Sequence, residues 1–174
     1  MSVAGDTAIL VPFPQLDAVI ERWLGAADEP GLPAHVTVLY PFRPFGEIIE
    51  HDLDRIRRIT ADEPLEPVTF ARCGRFPEVV YLDPQPGERF RRLTTTLADA
   101  FPDCPPYGGV FDDIVPHLTV SGGTASRLDE IEGELDQYLP ITVEPDSVWL
   151  MHFDGLVWRC ELRAPFGGDV SPGR

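Results

Sequence analysis

One tetrapeptide pattern occurs twice and constrains the fold more than any other feature of this chain. His35-Val36-Thr37-Val38 and His117-Leu118-Thr119-Val120 both read His, apolar, Thr, apolar, and they stand almost half the 174-residue chain apart. Successive side chains on a strand point to opposite faces, so each His shares a face with its Thr while the two apolar residues pack behind. An imidazole exchanges protons near neutral pH, and a threonine hydroxyl beside it can hydrogen-bond an anionic oxygen. Two such pairs facing one cleft supply an acid and a base for phosphoester chemistry.

The charge balance limits the partner. Asp and Glu number 29 against 14 basic residues, all of them arginine, for a net charge of -15. A long nucleic acid gripped across a broad surface requires many phosphates to be neutralised, and this composition opposes that. A small phosphate ester held locally remains compatible, because salt screens most of the long-range repulsion. Three cysteines, Cys73, Cys104 and Cys160, without a C-x-x-C spacing do not make a disulfide framework. The amino-terminal MSVAGDTAILVPFP has no basic leader, and no stretch approaches the ~18 apolar residues of a membrane span. The expectation is a cytoplasmic monomer with no membrane partner.

The apolar periodicity lays out a duplicated plan. A strand over 8–13 is followed by helical spacing at Leu16, Val19, Ile20, Trp23 and Leu24, ended by Gly25, and then by the first motif strand over 34–40. Ile48, Ile49, Leu53, Ile56 and Ile59 mark a second helix, and the runs 68–73 and 79–82 form a hairpin. Phe90, Leu93, Leu97, Ala100 and Phe101 predict a third helix, after which a Pro- and Gly-rich loop over 102–109 leads to the second motif. Leu128, Ile131, Leu135 and Leu139 predict a fourth helix, and strands at Val143, 148–153 and 156–162 follow, with Asp154-Gly155 as a hairpin turn. An internal repeat of this kind, related by an approximate two-fold, sets equivalent strands on opposite sides of one groove.

On these two motifs and this plan, the chain resembles the 2H phosphoesterase superfamily, the group of 2'-5' RNA ligase-like proteins and cyclic nucleotide phosphodiesterases. Tyr40-Pro41-Phe42 after the first motif is similar to the 2'-5' RNA ligase branch. The resemblance implies a single bilobal α+β domain over 1–174, with a flexible tail from about 167. It implies two mostly antiparallel sheets forming a central groove, helices outside, and a pseudo-two-fold duplication. It also implies metal-independent cleavage of a small cyclic phosphate (2',3'-cyclic or ADP-ribose 1'',2''-cyclic) or a 2'-5' phosphodiester, with 2'-5' end joining or nucleotide binding with little turnover as alternatives. The partner is then a small nucleotide or an RNA-end phosphate ester rather than an extended duplex, and no cofactor is expected.

In such a reaction His35 and His117 act as general acid and base, each role contributing about 10² to 10⁴ in rate, while Thr37 and Thr119 bind non-bridging phosphate oxygens. Which histidine is the base stays open at this level. The H-x-T spacing brings one imidazole per strand, and no metal-ligand set is evident. Tyr107 and Phe111, in the loop before the second motif, could stack on a base. Arg43, just past the first motif strand, could meet a phosphate. His51 between Glu50 and Asp52 reads as a surface residue, and His152 between Met151 and Phe153 as a satisfied core histidine. Trp149 and Trp158 read as packing residues around the hairpin turn.

Overall fold

The computed structural model describes residues 2–23, 30–64, 66–110 and 113–168. Among them the chain runs β1 (Thr7–Pro12), α1 (Asp17–Ile20), β2 (His35–Leu39), α2 (Glu50–Ala61), β3 (Val68–Phe76), β4 (Val79–Gln85), α3 (Gly87–Ala100), β5 (Leu118–Gly122), α4 (Ala125–Leu135), β6 (Ile141–Val143), β7 (Ser147–Phe153) and β8 (Trp158–Pro165). Of the tail expected from 167, only Gly167 and Gly168 lie within the described residues.

The strands join in the order β6-β3-β4-β5-β2-β1-β7-β8, and every pairing is antiparallel. The resemblance implied two sheets; the strands form one eight-stranded sheet, of which those two are the four-stranded halves. They meet at a narrow seam where the only registered pair is Val36 of β2 opposite Leu118 of β5. The order is palindromic about that seam, since β2 is flanked by β1 and β5 by β4. The units β1-α1-β2 and β4-α3-β5 are therefore equivalent, as the duplicated plan requires.

The helices cover one face. Phe90, Leu93 and Leu97 of α3 are buried at helical spacing, and α3 packs against β2 and β4. Leu128, Ile131 and Leu135 of α4 are buried in the same way, with α4 against β4, and α2 places buried Ile56 near β8. Val36, Val38, Leu118 and Val120 belong to the same core and are essentially inaccessible. Burying a side chain of this size contributes roughly 1.5 to 3 kcal/mol, so a one-residue slip of both motif strands would forfeit on the order of 6 kcal/mol or more. The apolar half of each motif thus fixes which way the His and Thr point: to the open face, away from the helices.

The first helical segment departs from its expected form. A 3-10 turn (Pro14–Leu16), the short α1 and a second 3-10 turn (Glu21–Trp23) replace one regular helix. Long-range bonds hold the segment to the rest of the fold. The Trp23 carbonyl accepts the Ser121 hydroxyl at 2.7 Å, its indole donates to Glu134 at 2.9 Å, and the Asp17 carboxylate accepts the Ala34 N–H at 2.6 Å. Leu24 and Gly25, where the helix was expected to end, lie outside the described residues. No described helix is long and apolar enough to cross a membrane.

Candidate functional site

The seam register assembles the two motifs. Val36 stands opposite Leu118 in an antiparallel pair, so one step along each strand brings His35 opposite Thr119 and Thr37 opposite His117. All four alternate with core residues and share the open face. A cleft of about 270 Å³ lies over this face, and His35, Thr37, Tyr40, Tyr107, His117 and Trp158 are part of its wall. Thr119 is exposed at the next position, opposite Tyr81 of β4, and is not part of that wall.

Each imidazole is held the same way. His35 Nδ1 is 2.7 Å from the Pro33 carbonyl and His117 Nδ1 is 2.7 Å from the Val115 carbonyl. A carbonyl oxygen only accepts, so each Nδ1 carries a proton and donates it. Nε2 is then the nitrogen of each ring left to gain or lose a proton, and the bond fixes the ring plane as well as the tautomer.

The surroundings of the two rings differ. Phe76 meets His117 edge-on at 5.0 Å between centroids, and Tyr81 lies 5.6 Å away, packed on Phe76 at 4.6 Å. Burial among these groups pushes the His117 imidazole below its ordinary value, and the Val115 carbonyl offsets this only in part. Gly74 makes the arrangement possible, because a Cβ there would overlap the Tyr81 ring. Phe76 and Tyr81 were not among the residues expected at the site. The glycine inside an otherwise regular strand was the one available signal of a close approach.

Tyr107 occupies the junction of two cavities. Its N–H donates to the Tyr40 carbonyl at 2.6 Å, tying the turn Pro106–Gly109 to the end of β2. The residue adopts φ 52 and ψ 33, a left-handed conformation uncommon outside glycine and often kept where a side chain must be aimed. Burial raises its phenol above the ordinary range, so it stays protonated near neutrality. With His117 it also bounds an apolar slot of about 440 Å³, walled by Phe76, Pro77 and Val115 and bearing Asp113. Beyond Val115 lies a polar recess of about 400 Å³ that includes Arg72 and Arg91.

Arg43 stands apart from the cleft. Its Nε and Nη2 each donate to Asp103 at 2.9 Å, and Nη1 donates to the buried Asp52 at 2.6 Å. Its guanidinium joins α2 to the segment after α3, and the walls of the three cavities do not include it. Phe111 lies outside the described residues. His51 is exposed, as expected, while His152 is half-buried, stacked on Phe45 at 3.8 Å and 3.3 Å from Glu161. Trp158 both packs with Phe153 and borders the cleft. The described cleft wall holds no lysine, arginine or carboxylate, so the imidazoles are its only groups able to carry positive charge. Among the described residues no group of three or more His, Cys, Asp or Glu is gathered as a metal site requires.

This palindromic α+β ribbon, with its paired His-x-Thr strands across one cleft, has the architecture of the 2H phosphoesterases. The chain belongs to the 2'-5' RNA ligase superfamily, whose family model matches residues 12–156. Among solved structures it is similar to TT0787 of Thermus thermophilus, with a TM-score of 0.65 and 18% identity over 94% of this chain and 99% of that one. It is also similar to E. coli LigT complexed with NADP+, with a TM-score of 0.58 and 15% identity over 96% of this chain and 100% of the other. LigT complexed with 3'-AMP gives a TM-score of 0.54 at 14% identity, over 96% and 100%. At these identities the likeness is one of fold. No curated protein matches the chain.

Proposed function

We propose that this protein is a metal-independent phosphodiesterase that opens a small cyclic phosphate, or cleaves a 2'-5' phosphodiester, by two-histidine acid–base catalysis. The observation that carries the reading is the pair of imidazoles on one open face, each with Nδ1 bound to the carbonyl two residues back. In hydrolysis of a 2',3'-cyclic phosphate, Nε2 of a neutral imidazole takes a proton from the attacking water as its oxygen bonds to phosphorus. Nε2 of the other, protonated imidazole gives its proton to the ribose oxygen whose bond to phosphorus breaks. Burial keeps His117 neutral and suits it to the base role, which leaves the acid role to His35. Thr37 and Thr119 donate to the non-bridging oxygens, and the imidazolium supplies the positive charge that the cleft wall otherwise lacks. Tyr107 contributes a neutral donor and an aromatic face at the edge of the bound phosphate.

A small substrate suits a cleft of about 270 Å³ in a chain of net charge -15. The LigT structures hold NADP+, 3'-AMP and ATP, which are all small nucleotides. The test offers the purified protein, in EDTA, 2',3'-cyclic nucleotides, ADP-ribose 1'',2''-cyclic phosphate, 2'-5' oligoadenylate and RNA fragments with cyclic phosphate ends. Turnover in EDTA that is lost in both His35→Ala and His117→Ala supports the reading. Joined RNA ends identify the ligase direction of the same chemistry. Nucleotide binding without turnover leaves a binding module and sinks the enzyme.

A further inference from the structure

We infer that the apolar slot beside His117 seats the nucleobase of the substrate, and that Asp113 makes it select a base with hydrogen-bond donors along its outer edge, guanine foremost. The inference rests on the phosphodiesterase reading above and adds to it the identity of the base.

The slot opens from the place where phosphorus would lie, because His117 and Tyr107 belong to both cavities. At about 440 Å³ it falls within the size range of small-molecule sites. Phe76, Pro77 and Val115 give it apolar walls, and aromatic faces hold any base by stacking with little regard to sequence. Stacking alone therefore explains binding but not choice.

Asp113 supplies the choice. Among the described wall residues it is the one carboxylate, it is exposed there, and it makes no ion pair among the described residues. A carboxylate near neutrality only accepts hydrogen bonds. It opposes a second phosphate in the slot by like charge, which separates a base-filled slot from one filled by a pyrophosphate. Among bases, guanine presents N1–H and the N2 amino group side by side and can give a carboxylate two bonds at once. Adenine and cytosine present one amino donor beside a ring acceptor. Uracil presents a single N–H between two carbonyl oxygens, which face the carboxylate unfavourably. Because Asp113 is exposed and water can satisfy it, its preference comes from the two bonds guanine gives it and from the repulsion of uracil's carbonyls. The polar recess past Val115 does not compete for the same role. Its Arg72 is engaged by Asp83 at 2.7 Å, and Arg91 donates to the Ile114 carbonyl at 3.1 Å.

The experiment compares kcat/KM for the four 2',3'-cyclic nucleoside monophosphates on the full chain and on Asp113→Asn. It adds calorimetric binding of the four 3'-nucleoside monophosphates to both proteins, with thermal melts to confirm that both are folded. The expected result is the order guanine, then adenine and cytosine, then uracil, with the guanine-to-uracil ratio falling roughly tenfold or more in Asp113→Asn. A flat order in the unmodified protein, or the same ratio in both proteins, overturns the inference. If none of these cyclic nucleotides, ADP-ribose 1'',2''-cyclic phosphate or 2'-5' oligoadenylate is turned over, the phosphodiesterase reading fails by itself; if only the cyclic nucleotides are inert, that reading stands, and in either case the slot is judged on binding alone. Tighter guanosine 3'-monophosphate than uridine 3'-monophosphate, with the preference lost in Asp113→Asn, then upholds it, and equal binding overturns it.

Discussion

His35 and His117 make the same hydrogen bond from opposite sides of the sheet seam, Nδ1 to the carbonyl two residues earlier, at 2.7 Å in both cases. The bond is local in sequence, from each motif's first residue to the residue two positions before it, so it does not depend on how the rest of either lobe packs. It fixes each ring before any ligand arrives, which removes a reorganisation cost from the step in which protons move. Burial among Phe76 and Tyr81 distinguishes the His117 ring, and the proposed base role rests on that burial.

Replacing either histidine by alanine is expected to lower kcat by about 10² to 10⁴ while the fold is retained, because both rings face the open side of the sheet. The double variant should lose little more than the weaker single one, since groups acting in one proton relay are not additive. Single-turnover rates and circular dichroism on the three variants check this. A double variant whose loss is the product of two independent losses contradicts a shared step.

The lowered His117 value has a sign that can be measured. With the folded value below the ordinary ~6.5, the unfolded chain binds more protons than the native one in the window between the two, so stability rises with pH there. The contribution is complete above about 6.5 and is lost as pH falls through the folded value. Melting temperatures of the protein and of His117→Asn at pH 5 and pH 7.5 should differ in their pH dependence, with the smaller fall on acidification in the variant. In kcat/KM the acidic limb should lie below 6.5, and an acidic limb above 6.5 rules out His117 as the base.

Gly74 controls His117 at second hand. A Cβ at that position would overlap Cζ and Cε2 of Tyr81, so Gly74→Ala must turn the Tyr81 ring away from Phe76 and His117. The expected cost is about 1 to 3 kcal/mol in stability, as for overpacking elsewhere, with a shift of the acidic limb toward ordinary imidazole. Because the closest clashes are all with the Tyr81 ring, Gly74→Ala should add little to Tyr81→Ala. Denaturant melts and pH–rate profiles of the two single variants and the double variant decide it.

How much of this was legible in the sequence follows the range of each interaction. The His-Thr face of each motif is a matter of alternation within four residues, and Val36, Val38, Leu118 and Val120 all proved to be core. The helices at Ile56, Leu93 and Ile131 followed from local periodicity in the same way. Phe76 and Tyr81 escaped because their contact with His117 depends on β4 pairing with β5, a register that no local pattern encodes. The broken first helix escaped for a like reason, since its end is held by Ser121, nearly a hundred residues on, which donates to the Trp23 carbonyl. Arg43 was named for its place in the sequence, and the structure places its guanidinium on Asp52 and Asp103. Nearness in sequence to a motif strand says nothing of which way a long side chain turns once the strand has ended.

Arg43 therefore gives the sharpest contrast with the histidines. Asp52 is buried, accepts the Ile49 N–H at 3.1 Å and takes Arg43 Nη1 at 2.6 Å, so Arg43→Ala strips a charged partner from a carboxylate with little water to replace it. The Asp103 arm is more exposed and counts for less. A loss on the order of 2 kcal/mol is expected from the Asp52 arm, in line with hydrogen bonds to charged groups. Thermal and urea melts should register that loss while KM for a cyclic nucleotide stays near that of the unmodified protein at a temperature where both are folded. Arg43→Ala/Asp52→Asn should recover part of the stability, because the buried charge goes with its partner. A rise in KM of tenfold or more with unchanged stability would instead make Arg43 a phosphate contact, and the ion pairs with Asp52 and Asp103 would have to open when substrate binds.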